Sequence, residues 1–402
     1  MSPVLPFDII TLIVDIVGEN KDTDLLKELA LVSYFFLHIC SKHIFSTVEL
    51  HDADPDYHVA SSKKGFVKLL RSRPDVANYI RKLTYKVKWF NTDDRLLSSV
   101  LPNLLRTISR LNCFTIHASS LGWNALDSSL TSAFLYLMQL PTVNHINLSH
   151  IQDFPLSSFT PSVNLHRFDI CNLKLESFNH LEEDGSPEIV VQSEMMPKIR
   201  EFHTSGSAML TTKLLHAKMQ DGRPAFNFMD LRRLSFCLED ERNIRYILQN
   251  AKLLETLYLS VGFCLSLVKL HDILSTSTRT LKILAFTVSI YGEPFAEICE
   301  GLEAMAGHNM LEALSFEVHV EDYDTEDSIG KELQRVEKVL VKPGWSALRQ
   351  VSFKIKIAWW GNTAKMYEAL QSIPDKYLSN LSKLDSVAFN FSADFLKRAL
   401  RS

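Results

Sequence analysis

Leu311-Glu312-Ala313-Leu314-Ser315-Phe316-Glu317-Val318-His319-Val320 decides how most of this 402-residue chain is to be read. Leu314, Phe316, Val318 and Val320 fall on every second position, with small or polar residues between them. A period of two over this length describes a strand with one buried face. The segment opens on a unit that recurs: an aliphatic residue, two others, an apolar residue, one other, then an apolar or aromatic residue. The same unit starts at Ile80, Leu111, Val143, Leu165, Ile199, Leu231, Leu254, Leu281, Leu311, Leu348 and Leu384, giving 11 copies spaced 22 to 37 residues apart. In the Leu348 copy the alternation runs on through Val351, Phe353, Ile355 and Ile357. The Ile199 copy is the weakest, with Thr204 in its last apolar slot.

Helix-like stretches lie between the copies: Lys63–Ser72, Asp127–Leu140, Ala208–Met219, Asp240–Ala251, Leu265–Ser275, Phe295–Ala306, Ser328–Val341 and Thr363–Ile373. Strand and helix alternating at this period predict stacked β–loop–α units, none able to bury its face alone. The fold class is therefore α/β, and so many copies exceed one open sheet of ordinary size unless it is a solenoid. An ordinary α/β sheet protein is the alternative.

The motif resembles the start of a leucine-rich repeat, and the spacing resembles its longer variants. That resemblance implies an irregular solenoid of about 11 β–α units over residues 61–402. No Asn or Cys recurs three positions after the last motif leucine, and repeat lengths vary, so an uneven horseshoe is expected. In such a fold the outward strand residues line a concave, ligand-binding face. Here they include Lys82, Thr84, Lys86, His117, His145, Asn147, Arg167, Asp169, Glu201, His203, Arg233, Ser235, Thr256, Tyr258, Glu317, His319, Lys354 and Lys356. Ile283, Ala285, Thr287, Ala313 and Ser315 make the middle of that row small or apolar. Small residues centrally and charges at the ends suit a protein or peptide ligand. Tyr258, His319, Lys354, Lys356 and Trp360 are the candidate target contacts, because aromatic and cationic groups beside small ones match a hot spot and its surroundings. The acidic run Glu321–Asp327 is read as a solvated loop whose charges favour the start of the next helix.

The N-terminus follows a different pattern. In Leu5-Pro6-Phe7-Asp8-Ile9-Ile10-Thr11-Leu12-Ile13-Val14-Asp15-Ile16-Val17, Asp8, Thr11 and Asp15 share one narrow stripe at 100° per residue. The apolar residues fill an arc of roughly 220°, about twice what a surface helix normally buries. A unit of about 45 residues has too little interior to cover that much apolar surface, so part of the arc should meet another chain or the next domain. After Gly18–Thr23 a second apolar segment runs from Leu25 through Leu31-Val32-Ser33 and Phe35-Phe36-Leu37 to Ile44-Phe45 and Val48-Glu49-Leu50.

Leu-Pro, an aliphatic helix, a polar break, Leu-Val-Ser, aromatics and a short Val-x-Leu strand, in that order, resemble an F-box of the divergent fungal type over residues 4–50. The resemblance implies a three-helix module that docks on the Skp-type adaptor of a cullin–RING ubiquitin ligase, with Leu5, Pro6, Ile9, Ile13, Leu31, Val32 and Phe36 at the adaptor contact. Asp8 is the nearest acid to the Glu of the family's common start, and Phe45 stands where a Trp is common. Residues 51–60 are polar and read as a linker to the repeat region.

Composition sets bounds on function. Apolar residues make up 46 % and charged residues 22 %, as in an ordinary soluble protein. A net charge of −4, from 43 basic and 47 acidic residues, gives no electrostatic case for nucleic acid or anionic membranes. No run of 18 apolar residues predicts a spanning helix, and the first helix lacks the basic leader of a signal peptide. The 6 cysteines form no Cys-x-x-Cys and read as reduced core thiols of a cytoplasmic or nuclear protein. No phosphate loop, dinucleotide fingerprint, nucleophile elbow or His-Glu-x-x-His is found. The outward histidines read as solvated or partner-contacting side chains. The expected protein is thus a non-enzymatic, cofactor-free substrate receptor of a ubiquitin ligase. A repeat scaffold with a helical cap is the first rival, and an enzyme with a site assembled across strands is the second.

Overall fold

The computed structural model describes residues 6–51, 62–87, 95–156, 159, 161–173, 190–191, 196–237, 241–261, 279–289, 294–320, 326–357 and 368–395. The chain divides into two compact units, one of residues 1–198 with 216–226, the other of 199–215 with 227–402. This division falls inside the 61–402 stretch that the sequence presents as one array. Residues 216–226 belong to the first unit because Phe226 stacks on Phe159 and Phe168 there, at 6.5 and 6.1 Å.

The first unit begins with three helices, α1 (Phe7–Glu19), α2 (Thr23–Ala30) and α3 (Tyr34–Ile44). A row of parallel strands follows: β1 (Thr47–His51), β2 (Lys82–Val87), β3 (Cys113–Gly122), β4 (His145–Gln152) and β5 (Arg167–Cys171), each paired with the next. Helices α4 (Ser62–Ser72), α5 (Arg95–Leu105) and α6 (Ser128–Gln139) pack in sequence along one face. Phe134 of α6 meets Tyr85 of β2 at 4.8 Å and Phe114 of β3 at 5.6 Å, so that face is the core. A short pair, β6 (Val190–Val191) with β8 (Lys218–Met219), stands apart. The helix expected over Ala208–Met219 therefore ends early.

The second unit repeats the plan. Strands β7 (Glu201–Ser205), β9 (Arg233–Cys237), β10 (Thr256–Val261), β11 (Ile283–Ser289), β12 (Ala313–Val320), β13 (Gln350–Ile357) and β14 (Ala388–Phe395) pair in that order, all parallel. Helices α7 (Ala208–His216), α8 (Glu241–Asn250), α9 (Pro294–Met305), α10 (Glu326–Leu340) and α11 (Ile373–Tyr377) occur between strands. Phe286, Phe316 and Phe353 stack at 5.4 and 5.0 Å with planes 12° and 9° apart, and Phe295 of α9 closes on Phe316 at 5.8 Å. Burial in β12 alternates without a break, as the sequence predicts.

Each of the 11 motif copies marks a strand. Within each unit the fourth motif residues align, Leu83 with Phe114, Ile146 and Phe168, and Phe202 with Leu234, Leu257, Leu284, Leu314 and Val351. The last copy is shifted: Val351 pairs with Phe389, not with Val387. Val387 sits in a turn after the short 3-10 helix Leu381–Lys383, and the buried Leu381 packs in place of the half-exposed Leu384.

The backbone supplies the ladder that the side chains lack. The carbonyl of the polar second motif residue accepts two N–H groups from the next copy: Arg81 from Asn112 and Cys113, Asn112 from Asn144 and His145, Glu255 from Lys282 and Ile283, Glu312 from Arg349 and Gln350. These bonds span 2.7–3.1 Å and pin the entry to each strand. Thr204, the odd residue of the weakest copy, is buried and satisfied by the Thr211 hydroxyl at 2.9 Å. Gly344 (φ 122°) and Gly307 (φ 83°) meet where the turns after α9 and α10 touch, the Gly307 N–H donating to the Gly344 carbonyl at 2.9 Å. A Cβ on Gly344 would press on the Gly307 nitrogen, and its φ already disfavours any side chain.

Candidate functional site

The N-terminal helices carry their own core and still leave apolar surface outside it. Asp22 caps α2 by accepting from the Leu25 N–H at 3.1 Å, and Ser33 caps α3 by accepting from the Phe36 N–H at 3.3 Å. Val14, Leu26, Ile39 and Cys40 are buried together, with Ile10, Val17, Leu29, Ala30, Phe35, Phe36 and Ile44 packed around them. Asp15 ties α1 to α3: one carboxylate oxygen lies 2.7 Å from both Lys42 Nζ and His43 Nε2. The Lys42 ammonium, helped by His43, holds the Asp15 carboxyl below its usual value against the opposing effect of burial. Gly18 lies so close under the His43 ring that any Cβ would collide with it.

The remaining half of the α1 arc faces solvent. Ile9 (42 % exposed), Leu12 (55 %), Ile13 (46 %) and Ile16 (49 %) fall within an arc of about 100°, beside the Asp8–Thr11–Asp15 stripe. Phe7 packs on Phe35 at 4.8 Å, which brings the start of α1 to the α2–α3 junction. There Leu31 is 88 % exposed, Val32 67 % and Tyr34 80 %. Large exposed aliphatics grouped along one side of α1, and others at the α2–α3 junction, mark interaction surfaces on a folded module. Of the residues assigned from sequence, Pro6, Ile9, Ile13, Leu31 and Val32 are exposed, while Phe36 is half-buried against the helix core. Leu5 lies outside the described residues. Leu12 and Ile16 join the stripe, as the width of the apolar arc already indicated.

The outward face of the second unit is held by ion pairs. Glu317 accepts from Lys356 Nζ at 2.6 Å and lies 2.9 Å from His319 Nε2. Burial would raise the Glu317 pKa, but Lys356 and His319 outweigh it and lower it. Lys354 reaches across to Asp394 at 3.0 Å. His319, Lys354 and Lys356 are thus brought together on β12 and β13, and each is engaged within the protein. Tyr258 is exposed on β10, two strands from β12 and on an earlier rung, beside Ala285 and in line with Ser315 and Ser352 on the strands beyond. Trp360, the helix expected over Leu265–Ser275 and residues 321–325 of the acidic run lie outside the described residues. Asp327 stands in the first turn of α10 and binds Lys376 and the Tyr377 hydroxyl.

A second cluster lies on β3–β5. Cys113 Sγ is 3.2 Å from His145 Nδ1, and His145 Nε2 is 2.9 Å from Asp169 Oδ2. Arg167 Nε donates to both Asp169 oxygens at 3.1 Å. Burial would lower the His145 pKa, but the Asp169 carboxylate and Cys113 lift it to about 9. Burial would raise the Asp169 pKa, yet His145 and Arg167 lower it. Asp169 and Thr256, placed outward by alternation, are in fact buried. His145 and Arg167 close over Asp169. Nearby, His117 Nδ1 is 2.7 Å from the Ser149 hydroxyl, and burial followed by the His150 and Lys86 charges lowers its pKa.

The cysteines correct the reading of them all as core thiols. Cys40 and Cys299 are buried, but Cys113, Cys171 and Cys237 are half-exposed. Cys113 precedes the buried Phe114, so strict alternation places it outward. Its residue type had suggested the core. Among the described residues no group of three or more His, Cys, Asp or Glu could hold a metal ion, and no helix is long and apolar enough to cross a membrane. No family model and no curated protein matches the chain.

Proposed function

We propose that this chain is the substrate-recognition subunit of a cullin–RING, SCF-type ubiquitin ligase. The N-terminal helices, read as an F-box, hold a Skp-type adaptor. The parallel strand units, read as a degenerate leucine-rich-repeat solenoid, hold the target protein. Ubiquitin transfer belongs to other subunits, so this chain contributes binding and no catalysis. The observation that carries the reading is the exposed stripe Ile9, Leu12, Ile13, Ile16, together with exposed Leu31 and Val32 at the α2–α3 junction, on helices that already possess a closed core. A cap that merely closed a repeat array would spend those side chains on the array.

The test is co-purification with a Skp-type adaptor at micromolar concentration. Wild type retains the adaptor, while Ile9→Asp and Leu31→Asp each abolish retention, because a charge in a desolvated contact costs several kcal/mol. Both positions face solvent in the free chain, so both variants fold. Failure of wild type to retain the adaptor removes the ligase reading and leaves the repeat scaffold with a helical cap.

A further inference from the structure

Cys113, His145 and Asp169 occupy three neighbouring parallel strands. Cys113 and His145 are direct register partners, and Asp169 stands two residues along β5 from Arg167, the partner of His145. The Asp169 carboxylate, clamped by Arg167, takes the Nε2 side of the ring and leaves Nδ1 facing the sulfur. With Nε2 turned to the Asp169 carboxylate, Nδ1 is the ring atom that can take the thiol proton and give it back. The thiolate is the form that accepts well and attacks electrophiles. The carboxylate end of the row is buried, whereas Cys113 and His145 remain partly open. Nucleophile, proton carrier and orienting carboxylate therefore stand in working order. The Cys113 N–H is already bonded to the Arg81 carbonyl at 3.0 Å. The nucleophile's own N–H is thus not free for a tetrahedral acyl intermediate, which weighs against acyl transfer, whereas conjugate addition ends with its proton on carbon, delivered from Nδ1.

We propose that Cys113 is a covalent modification site for soft electrophiles of the α,β-unsaturated carbonyl class, with His145 as its proton carrier and Asp169 and Arg167 as positioning residues. The thiol proton passes to His145 Nδ1 and the sulfur bonds to the β-carbon. The alkene π pair moves to the α-carbon, which takes the proton back from Nδ1. The product is a thioether, and no oxidant, reductant or leaving group is involved. Cys40 and Cys299 make the contrast, since burial pushes both thiols up, Cys299 to about 12.

The test uses the full chain and substoichiometric N-ethylmaleimide, with adducts located by peptide mass spectrometry over time. Cys113 is expected to react about tenfold faster than the half-exposed Cys171 and Cys237. His145→Gln should slow Cys113 about tenfold and leave those two unchanged, with Asp169→Asn slowing it less. Equal rates at Cys113, Cys171 and Cys237 in wild type overturn the proposal, and this competition needs no variant to fold. A fast Cys113 whose rate is untouched by both substitutions overturns it as well.

Discussion

Helix α1 and strand β12 are built from the same residue types and treat them in opposite ways. In β12, Leu314, Phe316, Val318 and Val320 all lie within 1 % exposure, and Phe316 is enclosed by Phe295 of α9 and the rings of both neighbouring strands. In α1 only Val14 is fully buried, while Ile9, Leu12, Ile13 and Ile16 face water. The difference is geometric. Alternation gives a strand one apolar face, and a stacked array has a place for it. An apolar arc of about 220° on a helix has two sides to cover, and a three-helix module covers one. Apolar content alone says nothing about burial; the width of the pattern against the number of neighbours does.

The contrast is broken most directly by truncating one residue of each kind. Phe316→Ala, from the middle of the stacked rings, should cost about 3–5 kcal/mol in denaturant unfolding. Leu31→Ala should change the same measurement by less than about 0.5 kcal/mol. Equal costs would mean that Leu31 is buried in solution. Adaptor affinity should respond the other way, falling about 10- to 100-fold for Leu31→Ala and not at all for Phe316→Ala at temperatures where that variant is folded.

Polar contacts sharpen the same comparison through pH. The His145 pKa is raised to about 9 from 6.5, so its stabilisation is full below about pH 6.5 and is lost as pH rises through 9. A loss on the order of 1–3 kcal/mol between pH 7 and 10 should vanish in His145→Gln. The Asp15 pKa is lowered, so its contribution is present above 3.8 and fades as pH falls below that value. Asp15, Lys42 and His43 are partly exposed, and Asp15→Asn should cost only about 0.5–1 kcal/mol at pH 7, measured by thermal melting.

The strands were legible because period two is written in single residues. Ten of the 11 motif copies keep the register that their spacing predicts, and the eleventh slips by two because Leu381 supplies the buried side chain before β14. Helix α5 escaped the pattern because Pro102 and the Ser98-Ser99 pair interrupt its apolar run. The carbonyl ladder could not be read at all, since it is made by main-chain atoms of residues as different as Arg81, Asn112 and Glu255. The exposed stripe on α1 was legible as an excess of apolar arc. The Cys113–His145–Asp169 row was not, because it needs the register between copies as well as the alternation within each one.

The stacked rings Phe286, Phe316 and Phe353 have a consequence for how the chain can change length. Each presents the same shape to the next, in nearly the same plane, so the top of one copy and the bottom of another are interchangeable surfaces. A duplication or loss of one whole strand-and-helix segment meets a ring where a ring is expected, and no new core has to be invented. The number of copies becomes a quantity that inheritance can adjust one step at a time. The length and outward lining of the strand face can then diverge while its interior stays as it is.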